Sequence, residues 1–314
     1  MRAVILNEFG GIENFAIREV PIPDVKPDEV LIRIHAIGID QIDIKTRKGS
    51  GMASKYPPES PIILGWDVSG VVVEKGTDVT DIETGDEVFG TINFPGAGGA
   101  YAEYIAAPAN QLAKKPENIS HPEAAAATQS PLTAWQALVK AGKLREGMKV
   151  LIHGAAGGVG NYAVQIAKSF GANVTATAAG KDFQFVKDLG ADEIIDYQTQ
   201  QFEELTDGFD LILDSIGGEN FVRSLKVLGN DGRIILLPSD KKEDAEKAAR
   251  EQQVNGYSHI LMHSSGDDMK QIARMLEEGA MKVYISKIFA FEEIPQAQQQ
   301  LEEGGNTGKI VIEV

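Results

Sequence analysis

Residues 150–160 read Val-Leu-Ile-His-Gly-Ala-Ala-Gly-Gly-Val-Gly. Three apolar residues, Val150, Leu151 and Ile152, run directly into a glycine-rich turn. Apolar positions then return at Val159, Ala163, Ile166 and Ala167, the spacing of a helix. A strand, a nearly side-chain-free turn and a helix start form a unit whose free amides can hold a dinucleotide pyrophosphate. Ala155, Gly158 and Gly160 take the fingerprint roles, with alanine where a first glycine is usual. Gly157 and Gly158 let the backbone approach a phosphate, and Gly160 permits close packing of the helix on its sheet. The candidate contacts here are Ala155, Ala156, Gly157, Gly158, Val159 and Gly160.

The end of the next strand separates NAD from NADP. A carboxylate there would hold the adenine ribose hydroxyls, but Val174-Thr175-Ala176-Thr177-Ala178-Ala179-Gly180-Lys181 offers none before Asp182. Thr177 can donate a hydrogen bond to a 2′-phosphate and Lys181 can supply its charge, so the reading favours NADPH. Ligands lie beyond the carboxyl ends of such strands. Ser215, in Asp214-Ser215-Ile216-Gly217-Gly218, should therefore line the nicotinamide half. Pro238 and Ser239, after the fifth strand, occupy the same rim.

The elements that position these residues follow from pattern. Strands are expected over residues 149–153, 173–178, 193–196, 211–214, 233–237 and 255–262. Helices are expected over 159–170, 183–189, 219–227 and 242–252. This alternation is that of an α/β, doubly wound parallel sheet. The first part is β-rich, with strands expected over 2–6, 30–37, 68–74 and 87–91. Pro21, Pro23, Pro27, Pro57, Pro58 and Pro61 argue against long helices there. The tail reads as helix 267–278, strand 282–289, helix 294–303 and strand 308–314. The last strand is expected to return to the first domain. The β-rich substrate domain would then be discontinuous, residues 1–121 with 280–314, around a nucleotide domain of residues 122–279.

Composition narrows the remaining classes. The 314 residues carry 46 acidic and 30 basic side chains, a formal net charge of -16, which repels nucleic acid and acidic lipid. With no cysteine, disulfides, thiolate metal sites and cysteine nucleophiles are excluded. No run is long and apolar enough to span a bilayer, and no secretory signal is apparent. The expectation is a cytoplasmic protein without membrane insertion.

As a set, several motifs resemble the medium-chain dehydrogenase/reductase superfamily, in its zinc-free quinone oxidoreductase (zeta-crystallin-like) branch. They are Leu64-Gly65-Trp66-Asp67-Val68-Ser69-Gly70, Gly85-Asp86-Glu87-Val88, the glycine turn, Leu189-Gly190-Ala191-Asp192 and the ending Gly308-Lys309-Ile310-Val311-Ile312-Glu313-Val314. The resemblance implies a GroES-like β domain, a Rossmann domain, a cleft between them, NAD(P)H, and a homodimer or tetramer. It places Thr128 near the nicotinamide, Lys181 near the 2′-phosphate and Tyr197 near the adenosine end. Asn306 would be a contact from the returning tail, and Tyr56 falls in the substrate-side loop. Zinc members use a cysteine near the position of Asp40 and a Gly-His-Glu segment. Here the segment is Gly65-Trp66-Asp67, so no metal site is expected. His35 is expected to be a sheet residue, and His153 to brace the glycine turn.

Without a metal, the chemistry rests on orientation in a dry site. Quinones and α,β-unsaturated carbonyls are already polarised, and accept hydride without the strong oxyanion stabiliser a simple ketone needs. In an enone, hydride goes to the β carbon and a proton to the α carbon. Water or Tyr56 is the candidate proton source, with Asp40 and Asp43 as further candidates for the cleft wall. Two alternatives stand beside this reading: reduction of another activated carbonyl, and a non-catalytic NADPH-binding structural or regulatory role.

Overall fold

A computed structural model describes residues 1–57, 61–237 and 242–314. The chain forms two compact units, one of residues 1–132 with 262–314 and one of residues 133–261. The second lies inside the expected 122–279 span.

Residues 133–261 build a six-stranded, wholly parallel sheet. Its order is Glu193–Asp196, Asn173–Ala178, Lys149–Ile152, Phe209–Asp214, Leu228–Leu236 and Tyr257–His259. Numbered along the chain this is 3-2-1-4-5-6, the dinucleotide-binding order, with its switch point beside Lys149–Ile152. That strand is apolar through Val150, Leu151 and Ile152 because a central parallel strand is covered on both faces. The helix Gly158–Ser169 follows it, with Tyr162, Ala163, Ile166 and Ala167 fully buried. Leu151, Ile212, Phe221, Ile234 and Leu236 form the core of this unit. The fifth strand starts at Leu228, earlier than its apolar run suggests, because Leu228 pairs with Phe209 across an irregularity in the ladder. The sixth, expected over 255–262, forms only three paired residues.

The other unit is β-rich. A small antiparallel sheet orders Phe15–Glu19, Arg2–Leu6 and Ile62–Ile63. A larger one runs Ile285–Ala290, Lys309–Glu313, Glu29–Ile39, Asp67–Lys75, Glu87–Thr91 and Ala113–Lys114, with Tyr104–Pro108 also paired to Glu29–Ile39. The last strand thus returns to the first part of the chain, antiparallel to Glu29–Ile39. The short helix His121–Ala126 is fixed by a capping box. The Glu123 amide donates to Ser120 Oγ, while the Ser120 amide donates to Glu123 Oε2. Gly38 allows this helix to sit against the sheet, since a Cβ there would lie 2.6 Å from the carbonyl oxygen of Ala125. Among the described residues, no helix is long and apolar enough to cross a membrane.

Candidate functional site

The glycine turn is built as a cradle. Gly154 has φ +66°, in the left-handed region that favours glycine. A Cβ on Gly157 would lie 3.2 Å from the Gly154 carbonyl oxygen, and one on Gly160 only 2.1 Å from it. Gly154 and Gly160 therefore require glycine, and a Cβ at Gly157 would be crowded. Ala155 and Gly160 are buried, Ala156, Gly158 and Val159 half-buried, and Gly157 exposed. Gly157 caps the helix, so the amides of its first turn lack helical carbonyl partners. Asn161 turns back and donates from Nδ2 to the carbonyls of Gly157 and Gly158. A backbone cradle at a helix N-terminus, closed to side chains, fits a nicotinamide dinucleotide pyrophosphate.

Thr177 is placed differently from expectation. It is 3% exposed, and its hydroxyl lies 3.2 Å from His153 Nδ1 while accepting from the Gly154 amide at 3.2 Å. The hydroxyl faces into the unit, and the cationic candidate for a 2′-phosphate contact is Lys181. That residue stands exposed on the turn Gly180–Asp182, with no partner for its ammonium among the described residues. Tyr197 is 58% exposed just past the neighbouring strand, its amide donating to the Ala178 carbonyl. The parallel register also brings Asp196 level with Ala178. Its Oδ2 would lie 3.1 Å from a Cβ on Gly180. This carboxylate was not visible from the local sequence around Thr177, because it arrives from a different strand. Ser215 donates from Oγ to the His153 carbonyl at 3.1 Å, joining two strand ends. Pro238 and Ser239 lie outside the described residues.

In the β-rich unit, strand register brings together three ionisable groups. Ile39 pairs with Ile310, which sets Lys309 opposite Asp40. Gly38 pairs with Asp67 on the other side of the same strand. The Lys309 ammonium is 2.5 Å from Asp40 Oδ1, 3.8 Å from Asp67 Oδ2 and 3.5 Å from Ser130 Oγ. Ser130 also donates to Asp40 Oδ1 at 3.2 Å, and Thr91 donates to Asp67 Oδ1 at 2.8 Å. Burial pushes the Asp40 carboxyl up, but the Lys309 charge and the hydrogen bonds from Asp67, Lys309 and Ser130 together outweigh it and hold Asp40 below the usual carboxylate range. Burial, then the Asp40 charge, raise Asp67 well above that range. Lys309 is raised: the two carboxylates more than offset its desolvation. The sequence marked Asp40 and missed Lys309, whose partner lies at the other end of the chain.

Asp43 does not line an open wall. It is 2% exposed, accepting from the Asp40 amide at 2.8 Å and from the Tyr101 hydroxyl at 3.0 Å. Burial and then the Asp40 charge push it up to about 7. Its position three residues after Asp40 makes it the inner half of a helix cap for Gln41–Arg47. Tyr56 accepts from the Gly98 amide at 2.8 Å. Its own hydroxyl hydrogen has no acceptor among the described residues. Burial raises its pKa, so it stays a neutral phenol. Thr128 is fully buried, donating to the Ala125 carbonyl. Asn306 donates to the Gln300 carbonyl at 3.1 Å. His35 stacks on His121 with ring centroids 4.6 Å apart.

The residues present do not fit a zinc. Among those described, no three histidine or carboxylate side chains are placed to hold a metal. Trp66 is buried and donates to the Gly96 carbonyl, and the two carboxylates beside it already face an ammonium.

Two family models match the chain: "Alcohol dehydrogenase GroES-like domain" over residues 26–117 and "Zinc-binding dehydrogenase" over residues 189–312. A "2-methylene-furan-3-one reductase" of Solanum lycopersicum is 36% identical, over 99% of this chain and 79% of that protein. A mitochondrial "NAD(P)H oxidoreductase RTN4IP1" of Danio rerio is 33% identical, over 92% and 84%. The solved quinone oxidoreductase of Coxiella burnetii superposes with a TM-score of 0.93 at 34% identity, over 100% and 99% of the two chains. The mitochondrial relative overturns the cytoplasmic expectation: composition describes a surface and carries no address within the cell. The chain belongs to the medium-chain dehydrogenase/reductase superfamily, in its zinc-free quinone and enone oxidoreductase branch.

Proposed function

We propose that this protein is an NADPH-dependent oxidoreductase that delivers hydride to a quinone or an α,β-unsaturated carbonyl. The observation that carries the reading is the glycine cradle at the switch point of a 3-2-1-4-5-6 sheet, with Lys181 on the adjacent turn and without a partner among the described residues. When bound, NADPH supplies the hydride. The amides of Gly158, Val159 and Gly160 hold the pyrophosphate, and Lys181 meets the 2′-phosphate. Thr177 acts from inside, by fixing the Gly154 amide.

On the acceptor side, Tyr56 is the best-equipped group. Its oxygen is anchored by Gly98 and its hydrogen has no acceptor among the described residues, so it can donate to an oxygen that gains negative charge. Asp40 is held ionised by Lys309 and keeps the surrounding charges fixed. A polarised acceptor suits a site with a neutral donor and no metal. The methylene-furanone of the tomato relative, a carbon–carbon double bond conjugated to a ketone, is of that kind. We further propose a homodimer or tetramer, and the domain division at residues 122 and 279.

The test is anaerobic oxidation of NADPH and of NADH against matched panels of quinones and 2-alkenals or 2-enones, with products identified. Quinone turnover or saturated carbonyl products with NADPH support the proposal. NADPH binding without turnover in either panel would point instead to a non-catalytic role.

A further inference from the structure

His153 ends the first strand of the nucleotide unit and is 1% exposed, with Phe202 against its ring at 4.7 Å in an edge arrangement. Nδ1 lies 3.2 Å from Thr177 Oγ1 and Nε2 lies 2.9 Å from Ser224 Oγ. The bonds beyond these partners decide where the ring hydrogen sits. Thr177 Oγ1 accepts from the Gly154 amide at 3.2 Å, and Ser224 Oγ donates to the Asn220 carbonyl at 2.8 Å. Ser224 has then used its hydrogen and must accept from Nε2–H, while Nδ1 accepts from Thr177. One direction runs through the whole chain of bonds, from Gly154 to Thr177, His153, Ser224 and Asn220. The opposite tautomer makes one bond fewer and leaves the Thr177 hydrogen buried without an acceptor, a cost that interiors avoid.

The same histidine joins a second turn. Its carbonyl receives the Ser215 hydroxyl. Asp214 Oδ1 collects the amides of Ile216 and Gly217 at 2.8 and 2.9 Å, and Asn220 Nδ2 at 3.3 Å. The Gly154 turn is held twice by Thr177, since the Ala155 amide donates to the Thr177 carbonyl at 3.0 Å. Three strand ends, those of 149–152, 173–178 and 209–214, are therefore braced through one buried ring.

Resting on the NADPH reading above, we infer that His153 is a positioning residue for the nucleotide. As a neutral ring protonated on Nε2, it sets the glycine turn through Thr177 and ties it to the turn after Asp214. Burial favours the neutral ring, pushing His153 down to about 4 against the opposing pull of Asp214. A charged ring would place a hydrogen on Nδ1 and displace the hydrogen of Thr177. The residue acts on binding geometry and touches no reacting atom.

The test has two arms. The first is 15N spectroscopy of histidine-labelled, nucleotide-free protein between pH 5.5 and 8. Expected is a His153 ring protonated on Nε2 with no titration. A ring protonated on Nδ1, or one that titrates in this range, would overturn the inference. The second arm is titration of NADPH and NADH into wild type, H153F and H153N. Phenylalanine removes both bonds and should raise both dissociation constants about 10-fold, the equivalent of losing one buried hydrogen bond. kcat at saturating nucleotide should be unchanged. Asparagine restores an acceptor at the Nδ1 position and should recover most of the affinity. Wild-type affinity in H153F would sink the inference. If H153F does not fold, an H153N that binds as poorly as a variant lacking the Thr177 hydroxyl, T177V, would sink it too. Wild-type protein that binds neither nucleotide would refute the NADPH reading itself, a failure kept separate because the tautomer is read without nucleotide.

Discussion

The Lys309 ammonium lies 2.5 Å from Asp40 Oδ1, across 269 residues of sequence. Lys309 is buried and Asp40 half-buried, and Asp67 completes the cluster at 3.8 Å. An internal ammonium thus faces the two carboxylates that sequence resemblance sets near the zinc position of metal-dependent relatives. The bond also fastens the final strand onto Glu29–Ile39, so it joins charge balance to the register of the sheet.

Breaking that pair from one side should be costly. K309M leaves an uncompensated carboxylate in the interior and is expected to destabilise the fold by about 3–5 kcal/mol. The double variant D40N/K309M removes both charges and should recover much of the loss. Urea denaturation of the four proteins in the cycle measures the coupling, and equal losses in K309M and the double variant would contradict it.

Asp43 gives a pH signature of defined sign. Its carboxyl is raised to about 7 in the folded protein, above the usual value of about 3.9 in an unfolded chain. The stability it contributes is fully present below about pH 4 and is lost as pH rises through about 7. D43N removes this loss. Its stability relative to wild type should therefore improve as pH rises from 4 to 7.5, by up to about 4 kcal/mol across the window. Denaturation midpoints at several pH values check the slope, and a difference that stays flat would show that Asp43 is not raised.

Lys181 should separate the two nucleotides. K181A is expected to weaken NADPH about 10-fold, the loss of one exposed charge-assisted contact, and to leave NADH unchanged. Because Asp196 sits close to the same turn, D196N should strengthen NADPH binding, by removing a like charge from beside the phosphate. Fluorescence titration of both nucleotides measures these effects. Equal weakening of NADH by K181A would mean that Lys181 contacts a part shared by both cofactors.

Tyr56 should matter to turnover rather than to nucleotide binding. Y56F keeps the ring and removes the free donor, so kcat for an enone should fall about 10- to 100-fold. The NADPH dissociation constant should not move. The loss of the Gly98 bond should appear as about 1 kcal/mol of stability. A fall in stability without a fall in kcat would reduce Tyr56 to a loop-packing residue.

Local pattern was enough for much of this protein. The apolar run at Val150–Ile152, the glycines after it and the alternation that follows specify a Rossmann unit, because strand and helix periods and turn glycines are properties of neighbouring residues. The zinc-free character was legible from the absence of cysteine and from Trp66 in the Gly65-Trp66-Asp67 segment. What needed the tertiary structure was every pairing across strands. Lys309 meets Asp40 only through antiparallel register, and Asp196 reaches Gly180 only through a parallel neighbour. Thr177 turns inward to His153 because burial rewards a closed chain of hydrogen bonds. Side-chain chemistry is local, but charge partners, hydroxyl direction and desolvation are set by groups that the sequence separates and the fold brings within a few ångströms.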